Sequence, residues 1–537
     1  MIRTYVLAIM VMPASVLTAA DNTASDVLTT TTTQPQKTWT DTRSLRANMD
    51  LPLVKYKPDA HDTLVYPKHT PAFKVHAETI KNSIHRDILA EGKQAWEAHD
   101  QPHYIFETGA DIETDVTKLQ QLAKLTHMPW SGYYYPTSFG GVSARYGDEE
   151  YEDFIINLAD DDGKHNYGQA MSYYQQPAEF LQLLTSDTTD HNLMHYSPAE
   201  KYDLLIGDKD FTLTNYHKQL GHRFADENGA VANWMGLCHG WAVAAYAAER
   251  PVKTVEVLAA DNKTKIPFHY DDIRALVSLK WAQSLRNRDT LYVGGRCNLK
   301  DDDDEIQKDA KTGKILNKEC LDTNPGTWHI VVANKIARQN KAFIMDITFD
   351  HEVWNQPVVA YETLFYNPLT DEFGAAEDSI IPIDDAFRQH DPFNHLRNNP
   401  KAKKIVGVQM RVHYLNEALP RGDDPHEDVF HSLELEYDLE LDADNRIVGG
   451  EWHKNSHPDF LWDVTTAAKP RNIVDSGLAR TKRSEDIFST LINEQRIHPR
   501  WHTGLVRLAT LSTLSVETDG SPLDAVISAL VKLSAAE

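Results

Sequence analysis

The sequence predicts an α+β chain, a mainly helical region followed by an antiparallel-sheet region. Two observations carry that expectation: helical apolar spacing early in the chain and a period of two later on. At 537 residues the chain exceeds what one hydrophobic core usually serves. Apolar residues make up 41% and charged residues 25%, a globular composition. With 79 Asp and Glu against 54 Lys and Arg the net charge is −25, a field that repels phosphate backbones and argues against nucleic acid as a partner.

Residues 1–20 read as a secretory signal, with Arg3, an apolar stretch from Tyr5 to Leu17, and small residues Thr18-Ala19-Ala20 before Asp21. No later run approaches the roughly 18 apolar residues of a membrane span. The mature protein is therefore expected to be exported and soluble, in a compartment where disulfides persist. Residues 21–75, with their run of threonines from Thr29 to Thr33, read as a linker or an inhibitory pro-segment. Residues 76–225 are expected to be mainly helical, as at Thr79 to His99 and at Asp115 to Leu125, where Val116, Leu119, Leu122 and Leu125 recur every three positions. An aromatic loop, Trp130 to Pro136, interrupts them. Residues 226–469 form the expected catalytic core with its sheet, and 470–537 an extension without an assigned role.

The strand signal is alternation. Val406, Val408, Met410, Val412 and Tyr414 alternate with more polar neighbours, and so do Leu433, Leu435, Tyr437, Leu439 and Leu441. The second stretch runs into the turn Asp442-Ala443-Asp444-Asn445 and returns through Ile447-Val448, a hairpin signal.

The strongest local feature is Asn233-Trp234-Met235-Gly236-Leu237-Cys238-His239-Gly240-Trp241-Ala242. Beyond it Trp241, Ala244, Ala245 and Ala248 fall at helical spacing, which sets Cys238 near a helix N-terminus. Amides and dipole there favour the thiolate, the nucleophilic form. A buried, inert cysteine is the competing reading. A thiol nucleophile needs a base, and a group to orient that base. The candidate base is His329, which opens the β-branched run Ile330-Val331-Val332, an expected central strand. The candidate orienting group is Asp346 in Phe343-Ile344-Met345-Asp346, on an expected neighbouring strand. Asp350 is its rival. Cysteine, then histidine on a strand, then an acid on the next strand is the papain-like order.

These blocks also carry a resemblance. Val353-Trp354-Asn355-Gln356-Pro357-Val358, Trp234-x-Gly236-x-Cys238-His239-Gly240-Trp241, Asp322 to His329, and Gly449-Gly450-Glu451-Trp452 with His457 to Trp462 resemble the oomycete transglutaminase elicitors, secreted Phytophthora cell-wall transglutaminases with bacterial relatives. The resemblance implies a papain-like core and a secreted, calcium-dependent protein-glutamine γ-glutamyltransferase that joins accessible Gln and Lys side chains, or small primary amines. It transfers Cys238 and His329 as catalytic residues and favours Asp346 as the third. The oxyanion donors are expected from the Cys238 amide and a neighbour, Asn233 or Trp234. Trp130, Tyr135, Trp354 and Trp462 are candidate cleft walls, with core packing as the alternative for each. The chain departs from the elicitor peptide after Val358, so recognition by plants does not carry over.

Cys297 and Cys320 bracket an acidic insertion and are expected to form a disulfide contributing about 3 kcal/mol. Asp301, Asp303 and Glu305 inside that loop are candidate calcium ligands, set against the reading of a solvated charged loop. His351-Glu352-Val353-Trp354-Asn355 lacks the second histidine of a zinc protease, and no phosphate loop or dinucleotide fingerprint is present. Asn262-Lys263-Thr264 is a glycosylation sequon if the source is eukaryotic. Two other functions stay open on the sequence: a cysteine protease or glutamine deamidase with the same triad, and a non-catalytic surface binding or elicitor protein.

Overall fold

The alternating stretches form the two longest strands, and the sheet is built outward from them. The structure, a computed structural model, describes residues 100–146, 165–166, 192–206, 211–225, 230–258, 265–285, 289–297, 306–317, 320, 323–348, 351–420, 427–468 and 522–535. The expected signal, linker and acidic loop, the helical stretch Thr79 to His99, Asp350 and Asn262 lie outside the described residues.

Among the described residues, eight of the ten strands in the main sheet are β1 (Leu122–Lys124), β2 (Thr290–Gly294), β3 (Phe343–Asp346), β4 (Asn355–Tyr366), β5 (Lys404–Asn416), β6 (Val429–Leu441), β7 (Ile447–Trp452) and β8 (Phe460–Val464), and two-residue strands at Phe373–Gly374 and Ile381–Pro382 complete it. Their order is β7-β6-β5-β4-β3-β8-β2, antiparallel throughout, with β1 added along β4. β5 and β6 pair over their full length, from Lys404 opposite Leu441 to Asn416 opposite Val429. The expected hairpin closes through Asn445, whose positive φ of 63° is a conformation Asn tolerates better than most residues. Strand β4 lies between β5 and β3 and is almost wholly buried, so its apolar residues read as a run without alternation.

Six helices are named: α1 (Pro198–Ile206), α2 (Thr212–Phe224), α3 (Cys238–Ala247), α4 (Tyr270–Ser284), α5 (Pro325–Val332) and α6 (Pro522–Ala535). α3 packs along α4 because Gly240 has no Cβ to strike the Ser278 carbonyl and the Ala282 side chain. α6 docks on α4, burying Leu523, Val526, Ile527 and Leu530, while Lys280 Nζ donates to Ser528 Oγ at 2.7 Å. One continuous apolar cluster runs from Ile105 through Trp241, Trp328 and Tyr437 to Val531, so the helices and the sheet share a core. Among the described residues no helix is long and apolar enough to cross a membrane.

Two expectations are corrected. Asp115 to Leu125 is a 3-10 turn (Val116–Lys118) followed by β1, since a three-residue apolar spacing fits a 3-10 turn better than the 3.6 of an α-helix. The run after His329 is the helix α5, continued by a π-helical turn over Ala333–Arg338. Asn324 caps α5 by accepting from Gly326 N, and Pro325 occupies the first turn, where its missing N–H has no cost.

Candidate active site

Cys238 is the first residue of α3, as its sequence context predicts. The segment before it is fixed backbone to backbone by the aromatic loop: Leu237 N donates to the Tyr134 carbonyl, and Thr137 N donates to Met235 O at 2.8 Å. A Cβ at position 236 would collide with the Tyr134 carbonyl, so Gly236 is what allows that contact. From the other side the thiol meets the start of β4. Cys238 Sγ donates to Val353 O at 3.7 Å and accepts from Asn355 Nδ2 at 3.4 Å. Asn355 is held in turn by Trp462 Nε1, which donates to Asn355 Oδ1 at 2.7 Å.

Asp346 lies directly opposite Asn355 across β3 and β4. Its Oδ1 accepts from Trp354 N at 2.8 Å and from Thr348 Oγ1 at 2.9 Å, which shapes the turn into Trp354. A second carboxyl, Glu417, follows β5 immediately and accepts from Gln356 Nε2 at 2.8 Å. Burial pushes the Glu417 carboxyl up to about 7, against the pull of its hydrogen bonds. Burial also pushes the Cys238 thiol up to about 11; the Asn355 amide opposes this and the charges of Glu417 and Asp346 add to it. Burial and the charges of two carboxylates thus act against the thiolate that a helix start favours.

The aromatic walls divide in two. Trp354 stands edge-on to Tyr134 at 5.1 Å, and Trp462 orients Asn355, so both lie around the thiol. Trp130 and Tyr135 belong to the interior: Trp130 N is bonded to Ala245 O on α3, Arg274 lies 5.5 Å from the Trp130 ring, and both aromatics are 1% exposed. For these two the core-packing alternative holds. Trp234 comes four residues before Cys238, between the Arg296 guanidinium at 5.5 Å and the His351 ring at 6.4 Å. Its Nε1, a buried donor, has no hydrogen-bond partner among the described residues. Asn233 precedes it on the same loop.

His329 is not brought to Cys238. Its Nδ1 shares a 2.8 Å hydrogen bond with the Tyr437 hydroxyl, and its ring packs on Phe365 at 5.9 Å. Phe365 is ten residues along β4 from Asn355, roughly 30 Å of extended chain. Burial alone drives the His329 imidazole down to about 3. The helix α5 is the physical reason: without a strand at 329 there is no antiparallel neighbour to lay it beside Asp346. Around Cys238 lie Asn355 and Trp462, with Asp346 opposite Asn355 on β3.

Cys297 and Cys320 form the expected disulfide. The next residue back, Arg296, donates to the His351 carbonyl at 2.5 Å, so the bridge and the thiol loop are two contacts apart. Asp301, Asp303 and Glu305 lie outside the described residues, and among the described ones no group of three or more His, Cys, Asp or Glu side chains is set to hold a metal ion. Sequence reasoning missed Asn355, Gln356 and Glu417 as site residues. The first two sit inside the block that carries the family resemblance; Glu417 has no local signal and is placed only by the β5–β4 pairing.

The transglutaminase elicitor profile matches residues 105–487. No curated protein matches the chain. Among solved structures, the GP42 transglutaminase from Phytophthora sojae aligns with a TM-score of 0.46 at 20% identity, covering 76% of this chain and 99% of that one. With a profile that spans well over half of its length, including Cys238 and the sheet around it, the chain belongs to the transglutaminase elicitor family.

Proposed function

We propose that the protein is a secreted protein-glutamine γ-glutamyltransferase in which Cys238 is the nucleophile. The observation that carries this reading is a lone free cysteine at a helix start, clasped by the Asn355 amide and lying in the field of two carboxylates. A helix start offers amides to a developing oxyanion, and the unpartnered Trp234 Nε1 supplies a second donor on the same loop. The family membership supports the acyl-transfer class.

The chemistry runs in two halves. The Cys238 sulfur attacks the carboxamide carbon of a protein glutamine, the C–N bond breaks, and ammonia leaves with the thiol proton. A lysine amine then attacks the thioester, the C–S bond breaks, and the thiol re-forms as the isopeptide is released. Water in place of the amine gives deamidation, so the aromatic screen of Trp354, Tyr134 and Trp462 around the thiol favours transfer over hydrolysis. Asp346 serves as the carboxylate that sets the turn presenting Trp354 and Asn355. Calcium enters on the family resemblance and the acidic run 301–305; bound there, it would neutralise the loop that the Cys297–Cys320 bridge closes. Isothermal calorimetry with and without charge removal at Asp301, Asp303 and Glu305 tests it, and unchanged binding sinks the assignment.

The main test is incorporation of a fluorescent primary amine into casein. Cys238→Ala is expected to lower it at least about 10³-fold. Incorporation that survives the substitution overturns the nucleophile, and casein fragments without incorporation point to a protease instead.

A further inference from the structure

Among the described residues no histidine is hydrogen-bonded to Cys238, yet the second half-reaction starts from an alkylammonium that must lose a proton before it can attack. Gln356, the strand neighbour of the Asn355 that clasps the thiol, and its partner Glu417 have capacity that the fold does not use. Gln356 is 1% exposed and donates its Nε2 to Glu417, while its buried Oε1 has no hydrogen-bond partner among the described residues. An acceptor left so costs about 1–3 kcal/mol, and a ligand donor at that oxygen removes the cost. Among the described residues Glu417 has no ion pair; its side chain bonds that glutamine, and its charge is felt by both Cys238 and Tyr134. Asp346 adds a second negative charge on the β3 side of the thiol. A carboxylate and a bare amide oxygen, side by side at a negatively biased site, fit a group with positive charge and several N–H donors.

We propose that Glu417 and Gln356 form the acceptor subsite for a primary alkylammonium, in which Glu417 takes the proton that turns the bound ammonium into the attacking amine. This rests on the acyl-transfer reading of Cys238. The proton balance closes without any further reactant. Glu417 carboxylate plus R–NH₃⁺ gives the carboxylic acid plus R–NH₂; the amine attacks the thioester; the adduct's extra proton goes to the departing Cys238 sulfur. The acid then returns its proton to ammonia released from the next glutamine, so one ammonium enters and one leaves per turnover. A carboxyl that burial holds near neutrality can both accept and return that proton at physiological pH.

The test compares two acceptors with one glutamine peptide at pH 7. Cadaverine arrives as an alkylammonium and needs the base; hydroxylamine is largely neutral and does not. Glu417→Gln is expected to lower cadaverine incorporation about 10²-fold and hydroxamate formation less than about threefold, and Glu417→Asp to recover part of the ratio. Gln356→Leu is expected to raise KM for cadaverine and leave that for hydroxylamine unchanged, which keeps the test alive if Glu417→Gln does not fold. An equal fall for both acceptors, or no fall, overturns the subsite while Cys238-dependent hydroxamate formation keeps the acyl-transfer reading standing. Hydroxamate formation that is absent from the wild type, or that persists in Cys238→Ala, overturns that reading itself.

Discussion

The two ends of β4 are built from similar residue types and treat them in opposite ways. At the Tyr366 end buried charges of both signs are paired in one network. Arg397, fully enclosed, bonds Asp391 at 2.5 Å, Asp438 at 2.6 Å and Glu440 at 3.1 Å, and His453 bonds Asp438 at 3.0 Å. Asp438 is held well below the usual carboxylate range by Arg397, although burial opposes this, and its bond to Asp438 lifts the His453 imidazole to about 9 against the same opposing burial. At the Asn355 end, among the described residues, Glu417 has no ion pair, burial pushes the Cys238 thiol up, and Trp234 and Gln356 each keep a buried polar atom without a hydrogen-bond partner. A saturated network fixes geometry, and an unsaturated one is left for a ligand to complete. The difference separates structure from chemistry better than residue type does: the histidine that the sequence offers as a base sits at the saturated end.

The comparison breaks most visibly at Arg397. Replacing it by leucine leaves three buried carboxylates around an apolar side chain, and a loss of about 3–5 kcal/mol is expected in chemical denaturation. Iodoacetamide labelling of Cys238 in the folded fraction should proceed at the wild-type rate; a changed rate would mean the two ends are coupled. Asn355→Ala should show the reverse pattern. Amine incorporation is expected to fall about 10²-fold, with a stability loss near 1 kcal/mol for the lost hydrogen bonds.

His329→Gln sharpens the reassignment. It is expected to cost about 1–2 kcal/mol through the Tyr437 hydroxyl and to change kcat less than about threefold, read by denaturation and by amine incorporation. A loss of activity on the scale of Cys238→Ala would restore His329 to the chemistry. The smallest effect is a pH slope. The folded His453 binds its proton more tightly than the unfolded one, so its stabilisation is complete below about 6.5 and is lost as pH rises through about 9. Wild type should lose stability across that window at under about 1.4 kcal/mol per pH unit, and His453→Gln should lose that slope.

How much of this was legible in the sequence depends on the range of the interaction. β5, β6 and their hairpin were readable because alternation is local and one face is buried. Cys238 at a helix start was readable from Gly236 before it and the alanines after it. His329 was misread because three β-branched residues outweighed a cap that was also present: Asn324 followed by Pro325 is a helix start, and α5 is buried all round, so no amphipathic period marks it. The partners of Cys238 come from 115 residues or more away in sequence. Which asparagine or glutamate a thiol meets at that distance is decided by strand register, and no local pattern records it.

The contact between Gly236 and the Tyr134 carbonyl has a consequence for how this protein can vary. The thiol's position is set by main chain lying on main chain, so the tyrosine at 134 is open to exchange among aromatic side chains while position 236 is closed to every residue with a Cβ. In a saturation library scored for Cys238-dependent activity, that pair should appear as one tolerant and one intolerant site in direct contact. The more permissive of the two would be the large aromatic residue.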